Sequence, residues 1–190
     1  MEHERALILR VNEHRVTLLA RHRGMVRASI YTKPVLLGSV IRCVLCKQSG
    51  RMRADEIELL AAPLAIARED LLFFHHVLEL CGAFIPEGVR APEVFDAVMV
   101  LYSQDARGLS HLCKKLFLCR LLVGMGLYDG LPQISADALA MILATPVDIA
   151  RWSTIDLGSQ RELDRWLLAC VASHPMIEQF NTVHFLTGRR

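Results

Sequence analysis

Aromatic residues are scarce in this chain, 6% of 190 positions, which argues against an aromatic-rich carbohydrate surface or a platform stacking several bases. Long hydrophobic runs are missing too. Mean hydropathy is high at +0.31, yet no stretch of about eighteen apolar residues lacks a charge. The longest candidate, Leu116 to Leu127, is short and holds Arg120, so a membrane span is excluded. No signal-type apolar core follows the charged opening Met-Glu-His-Glu-Arg, and the expected location is cytoplasmic. The six cysteines (Cys43, Cys46, Cys81, Cys113, Cys119 and Cys170) form no evenly spaced framework and lie mostly inside apolar runs. They read as reduced, small hydrophobes. Catalytic signatures are equally absent. There is no G-x-S-x-G, no phosphate-cradling GxxxxGK[ST] and no evident pair of carboxylates in a cleft context, so nothing supports an enzyme.

What is present is ample core material, 53% apolar residues with 22% charged, enough for one large domain or two small ones. The net charge of +2 conceals an asymmetry. Residues 1–60 carry eleven Lys/Arg against six Asp/Glu, whereas the remaining 130 residues carry eleven against fourteen. A basic first third beside an acidic remainder points to a polyanionic partner.

The chain changes character near residue 62. Before it, five short runs rich in Val, Ile, Leu and Tyr (6–11, 15–20, 25–31, 38–47 and 51–60) are separated by turn formers such as Asn12, Arg23-Gly24, Lys33-Pro34 and Ser49-Gly50. Their partial alternation suits a small twisted sheet, and their spacing suits a barrel or sandwich. After Pro63 the period becomes helical. The patterns predict helices over 68–84, opened by Glu69 and Asp70, from Pro92 to about 102, and over 110–127. Further helices are predicted after Ser135 and, with Glu162 completing a capping box, after Ser159.

Several patterns carry less than they promise. Cys43-x-x-Cys46 lacks the other two ligands of a tetrahedral zinc site, and residues three apart on a strand face opposite sides; no metal or cofactor is expected. His75-His76 are neighbours about 100° apart on a helix, poor co-ligands and better suited to packing or an interface. Gly124-Met-Gly126 closes a helix instead of following a strand. The basic β module remains. Its bases are mostly arginine, which grips phosphate through a bidentate fork. Arg21, Arg23 and Arg27 fall in one hairpin and Arg51 and Arg53 share a strand face, the makings of a positive groove. The competing reading is a solvated face.

The order of features resembles a family. The segment Ala6-Leu-Ile-Leu-Arg10 is followed by Arg23-Gly24 leading into Met25-Val-Arg27. Then come the helix Glu69-Asp-Leu-Leu-Phe-Phe-His-His-Val-Leu-Glu-Leu80, Pro92-Glu-Val-Phe95, and Lys115-Leu-Phe-Leu-Cys-Arg-Leu-Leu-Val-Gly-Met-Gly126 with Pro132 behind it. Over residues 5 to about 133 this resembles the bacterial recombination mediator RecO. The resemblance implies an α+β fold, with an OB-fold-like barrel at 1–62 and an α-helical domain at 63–190. It also implies a nucleoid-associated, non-enzymatic DNA repair and recombination role. Such proteins bind single- and double-stranded DNA, anneal strands, assist recombinase loading and cooperate with RecR and the tail of single-strand-binding protein. The chain departs from the family in keeping only Lys33 of a basic stretch after the Gly24 turn. It also has Leu118 where a polar residue is usual, and it lacks a four-cysteine zinc element after Pro132.

The expected nucleic-acid surface is Arg10, Arg23, Arg27, Lys33, Arg42, Arg51 and Arg53, with Tyr31 as the one stacking side chain. One stacker is few, so electrostatics should dominate. On the third helix, His111, Lys114 and Lys115 cluster within about 100° beside Leu118 and Leu122. Such a border suits an acidic peptide with a hydrophobic end, the composition of the single-strand-binding tail; the competing reading is a closed core with solvated lysines. Arg120, on the far side, should pair with an acid of a neighbouring helix. From another class, the chain could be an interaction scaffold whose bases are mere surface. A hydrolase using Ser110 or a cysteine is the third alternative.

Overall fold

A computed structural model of the chain describes residues 3–31, 34–103, 108–127, 136–144, 148–152, 155, 160–175 and 179–187. The fold is α+β. Five strands come first: β1 (His3–Asn12), β2 (Arg15–Ala20), β3 (Gly24–Ser29), β4 (Val40–Gln48) and β5 (Arg51–Ala61). The helices that follow among the described residues are α1 (Leu64–Phe84), α2 (Pro92–Val100), α3 (His111–Gly124), α4 (Ala136–Leu143), α5 (Ile149–Trp152), α6 (Gln160–Ala172) and α7 (Thr182–Thr187). The switch from strand to helix thus falls between Ala61 and Leu64. The chain forms two compact units, 1–102 and 103–190. That division lies forty residues past the 62/63 boundary expected from the pattern, because α1 packs on β1 and β2 and Arg21 joins α2 through Asp96.

In the first unit the strands close into a barrel in the order β1-β2-β3-β5-β4. All neighbours are antiparallel except β3 and β5, which run parallel. Closure removes the sheet edges that a five-stranded open sheet would expose. The period-2 alternation sends Ala6, Ile8, Val16, Leu18, Ala20, Val26, Ala28, Ile41, Cys43, Leu45 and Ala54 inward as one core, and a register shift between Asp55 and Glu58 turns Ile57 in with them. The outer face is divided. At one end the outward Leu7, Leu19, Met25 and Val40 are buried as well; at the other, the outward side chains are polar and wet. A bulge between Ile8 and Arg10 shifts the register there and brings Arg10 opposite Thr17.

Three local features fix the helical cover. Asp70 breaks α1 with φ −153° and ψ 84°, and its Oδ1 accepts from the Phe73 amide at 2.9 Å. It acts as an internal N-cap, which is why the sequence reads as a helix start at this acid although helical residues precede it. Gly38 lies under Phe74, where a Cβ would sit 2.5 Å from the ring, and its carbonyl accepts from the Tyr102 hydroxyl. The loop between α1 and α2 runs along β3. Gly88 N–H donates to the Met25 carbonyl at 2.8 Å, and Met25 N–H reaches Val89 O at 3.4 Å.

The second unit is organised by α3. Its N-cap is Ser110, whose Oγ accepts from the Cys113 amide at 3.2 Å, and Leu116, Phe117, Leu118, Cys119, Leu121 and Leu122 are wholly buried. Phe117 meets Trp152 of α5 with ring centroids 6.4 Å apart. The helices after Ser135 and Ser159 are present as α4 and α6, but both caps lie outside the described residues. The short α5 and α7 have no counterpart in the sequence reading. No helix among the described residues is long and apolar enough to cross a membrane.

Candidate nucleic-acid interface

Strand register decides which bases of the β module meet. On the outer face, Arg10 of β1 pairs with Thr17 of β2, which pairs with Arg27 of β3. One row further along, Asn12 pairs with Arg15, Arg15 with Ser29 and Ser29 with Arg53 of β5. Paired residues share a face of the sheet, and rows two residues apart lie about 7 Å from each other. Arg10, Arg15, Arg27 and Arg53, spaced by small polar side chains, therefore form one continuous basic surface across four strands. Arg51, of the same parity as Arg53, extends it at the start of β5.

Tyr31 stands beside this surface, 64% exposed. The Arg53 guanidinium carbon is 5.7 Å from its ring centroid, and the His14 ring lies 5.7 Å away on a tilt of 31°. An exposed ring flanked by a guanidinium is the arrangement that lets a base stack while its phosphate is held. The mouth of the barrel beside Tyr31 opens as a cleft of about 340 Å³.

Not every expected base joins the surface. Arg23 lies in the turn that follows β2, at the opposite end of that strand from Arg15, about 17 Å along it. Its Nη1 donates to the Leu45 carbonyl at 3.2 Å. Arg21, its expected hairpin companion, is engaged by Asp96 through two hydrogen bonds of 2.8 Å. Arg42 belongs to another sector, opposite Arg5 of β1 and Glu58 of β5, with Nη1 2.9 Å from the Glu58 carboxylate. Lys33 lies outside the described residues. Arg15 was absent from the expected set. Its signal, a shared parity with Thr17 two residues on, is legible only once the β1–β2 register is known.

Acids temper the field. Arg27 Nε is 3.4 Å from Glu87, and Arg53 Nε donates to Asp55 at 2.7 Å. Such partly exposed pairs are worth about 0–1 kcal/mol, so a phosphate can exchange for the carboxylate at small cost. Arg10, Arg15 and Arg51 have no ion pair among the described residues.

Cys43 points into the barrel core while Cys46 points out, as the spacing predicts. Burial pushes the Cys43 thiol up to about 11. Cys46 Sγ lies 3.2 Å from Asp55, a hydrogen bond that, with burial, also raises its pKa. Neither is poised as a thiolate. No group of three or more His, Cys, Asp or Glu that could hold a metal ion occurs among the described residues.

The expected peptide site on α3 does not form as drawn. Leu118 and Leu122 are fully buried, and Lys115 is itself buried, its ammonium 2.5 Å from Asp164 of α6. Only the exposed His111 and the half-buried Lys114 remain near the surface. The reason is that α3 is apolar almost all round, so its Leu118–Leu122 side serves as core. Arg120 Nη1 donates to the carbonyls of Ile142 and Ala144 at 2.6 and 2.9 Å. These bonds satisfy the C-terminal end of α4, where the helix dipole favours a cation. Comparison with known proteins adds no relative: no protein-family model matches the chain, and no curated protein sequence matches it.

Proposed function

We propose that the first unit is a non-enzymatic, single-strand-binding module that tracks a nucleic-acid backbone across β1, β2, β3 and β5. One observation carries this reading. The register aligns Arg10 and Arg27 in one row and Arg15 and Arg53 in the next, beside an exposed Tyr31, on a closed barrel. The strand order is OB-like, a fold that binds oligonucleotides across its open face and adjoining loops. Guanidiniums in rows beside a single exposed ring favour phosphate over base edges, so binding should be governed by phosphate and vary little with sequence outside any pocket. Double-stranded DNA would engage the same rows more weakly, since Tyr31 has no unstacked base to meet.

The recombination-mediator role, with annealing, recombinase loading and contacts to RecR and single-strand-binding protein, is the function that the resemblance to RecO would add. The basic surface supports its DNA-binding part. The partner part has less support, because Leu118 and Leu122 are closed to a peptide. A protein-interaction scaffold is favoured by a different observation: Leu64, Leu71 and Leu72 of α1 are 50–70% exposed.

Retention on single-stranded DNA cellulose separates the two. The strand-binding reading expects retention at low salt and elution as salt rises. Passage through the column at low salt would overturn it and leave the scaffold.

A further inference from the structure

The cleft at the barrel mouth has no task in a purely phosphate-tracking surface. Its volume of about 340 Å³ lies at the small end of ligand sites, with room for a single base. Val16 and Ile30 are its least exposed lining residues, and His14 and Tyr31 supply aromatic walls. Among the described residues that line it, one is an acid, Glu13. It occupies the two-residue turn between β1 and β2 with φ 51°, a left-handed conformation that glycine or asparagine would adopt at lower cost. A strained glutamate at the rim of a partly apolar cleft, next to a basic surface, disfavours phosphate and makes sense as a reader of hydrogen-bond donors.

We propose that this cleft takes one guanine base, whose N1–H and N2–H₂ both donate to the Glu13 carboxylate while its ring lies among the aromatic and apolar walls. An ionised carboxylate only accepts, and does so at two oxygens. Guanine alone among the standard bases presents two adjacent donors on its pairing edge; adenine and cytosine offer one exocyclic amine, and thymine or uracil one ring N–H. Arg15, the next base along the chain, and Arg53, beside Tyr31, are placed to hold the flanking phosphates. The proposal rests on the strand-binding reading and deepens it, giving an otherwise indifferent surface a preference at one nucleotide.

The test uses the full chain and two kinds of probe. Nucleoside monophosphates of the four bases are titrated against ¹⁵N-labelled protein, following the amides of residues 11–16 and 30–31. In parallel, fluorescent oligothymidylate, with and without a single central dG, is titrated by anisotropy. The expected result is a guanosine monophosphate affinity about tenfold above the other three, and a similar gain from the one dG. Both gains should vanish in Glu13→Gln, which keeps the side chain's size and leaves binding of plain oligothymidylate unchanged or slightly stronger. Equal responses to all four monophosphates, with oligothymidylate bound, would overturn the guanine site and leave strand binding intact. Selective guanosine monophosphate binding without oligonucleotide binding would support the cleft as a site for the free nucleotide and overturn the strand-binding reading. Silence from every probe would overturn both.

Discussion

Arg15 and Arg53 flank Ser29 on the outer face of the barrel, one across the antiparallel β2–β3 pair and the other across the parallel β3–β5 pair. Two guanidiniums from strands about forty residues apart in sequence thereby share one row. The parallel contact responsible is short, only Ala28–Met52 and Ser29–Arg53, yet it also brings Arg53 beside Tyr31.

If the first unit binds single strands as proposed, the salt dependence of that binding should report how many of these bases meet phosphate. On single strands each contact contributes about −0.7 to the slope of log affinity against log salt. Replacing Arg10, Arg15 and Arg51 together by Ala removes three cations that have no ion pair among the described residues and should make the slope shallower by about 2. An Arg23→Ala, Arg42→Ala variant, altering bases outside the rows, should leave the slope close to that of the wild type. Anisotropy at four salt concentrations measures both. Equal slopes in wild type and triple variant would refute the mapped surface.

Arg21 and Asp96 give a pH-dependent prediction. The hydrogen bonds and charge of Arg21 hold the Asp96 carboxyl below the usual carboxylate range. A depressed folded-state pKa adds stability above the ordinary carboxylate value, and that stability is lost as pH falls through the folded value. Both side chains are more than a third exposed, so the gain is about 0.5–1 kcal/mol. Asp96→Asn should therefore be less stable than wild type at neutral pH by about that amount. The gap should close in strong acid, as read by urea denaturation at several pH values; a constant gap would mean the pair does not act through charge.

Gly24→Ala should be among the most damaging single-atom-scale changes in the first unit. The residue has φ +77°, and a Cβ there would lie 1.9 Å from the Val89 carbonyl oxygen. Backbone, not a yielding side chain, occupies that space. A loss of about 3 kcal/mol is expected from strain and displacement of the 86–90 loop together. Gly50→Ala provides the contrast: its φ is also positive, but nothing lies within 4 Å of the added methyl, so the loss should be about 1 kcal/mol. Equal losses would show that the loop yields freely.

Asp70→Ala removes the side chain that accepts from the Phe73 amide, and a lost cap costs about 1 kcal/mol. Asp70→Asn and Asp70→Ser, which preserve an acceptor, should recover most of it. Chemical denaturation of the three variants checks the order.

Much of this architecture was legible because it depends on local periodicity. Short runs rich in Val, Ile, Leu and Tyr, split by turn formers, located all five strands to within about three residues at each end, and the change to a 3.6-residue period after Pro63 marked where helices begin. Opposite facing of Cys43 and Cys46 followed from the same geometry. So did the central place of α3, since a helix apolar all round must be surrounded. Asp70 shows the limit of such reading. Its capping chemistry was visible as a helix start, but whether a helical turn precedes a cap depends on what that turn packs against.

The composition of the basic surface was a tertiary decision. Charge counting cannot distinguish Arg21, consumed by Asp96 seventy-five residues away, from Arg15, which has no ion pair among the described residues. Parity within a strand says which residues share a side, but not which strands adjoin or at what offset; the bulge at Ile8–Arg10 and the β3–β5 pairing set those. The same limit explains α3, where Lys115, Leu118 and Leu122 looked like a rimmed apolar strip until Asp164 and the surrounding core enclosed them. Sequence by itself determined the elements and the sign of the charge, because both are properties of short segments. Only the folded chain decided which charges are free and which apolar side chains are covered, because those depend on neighbours that the linear order keeps far apart.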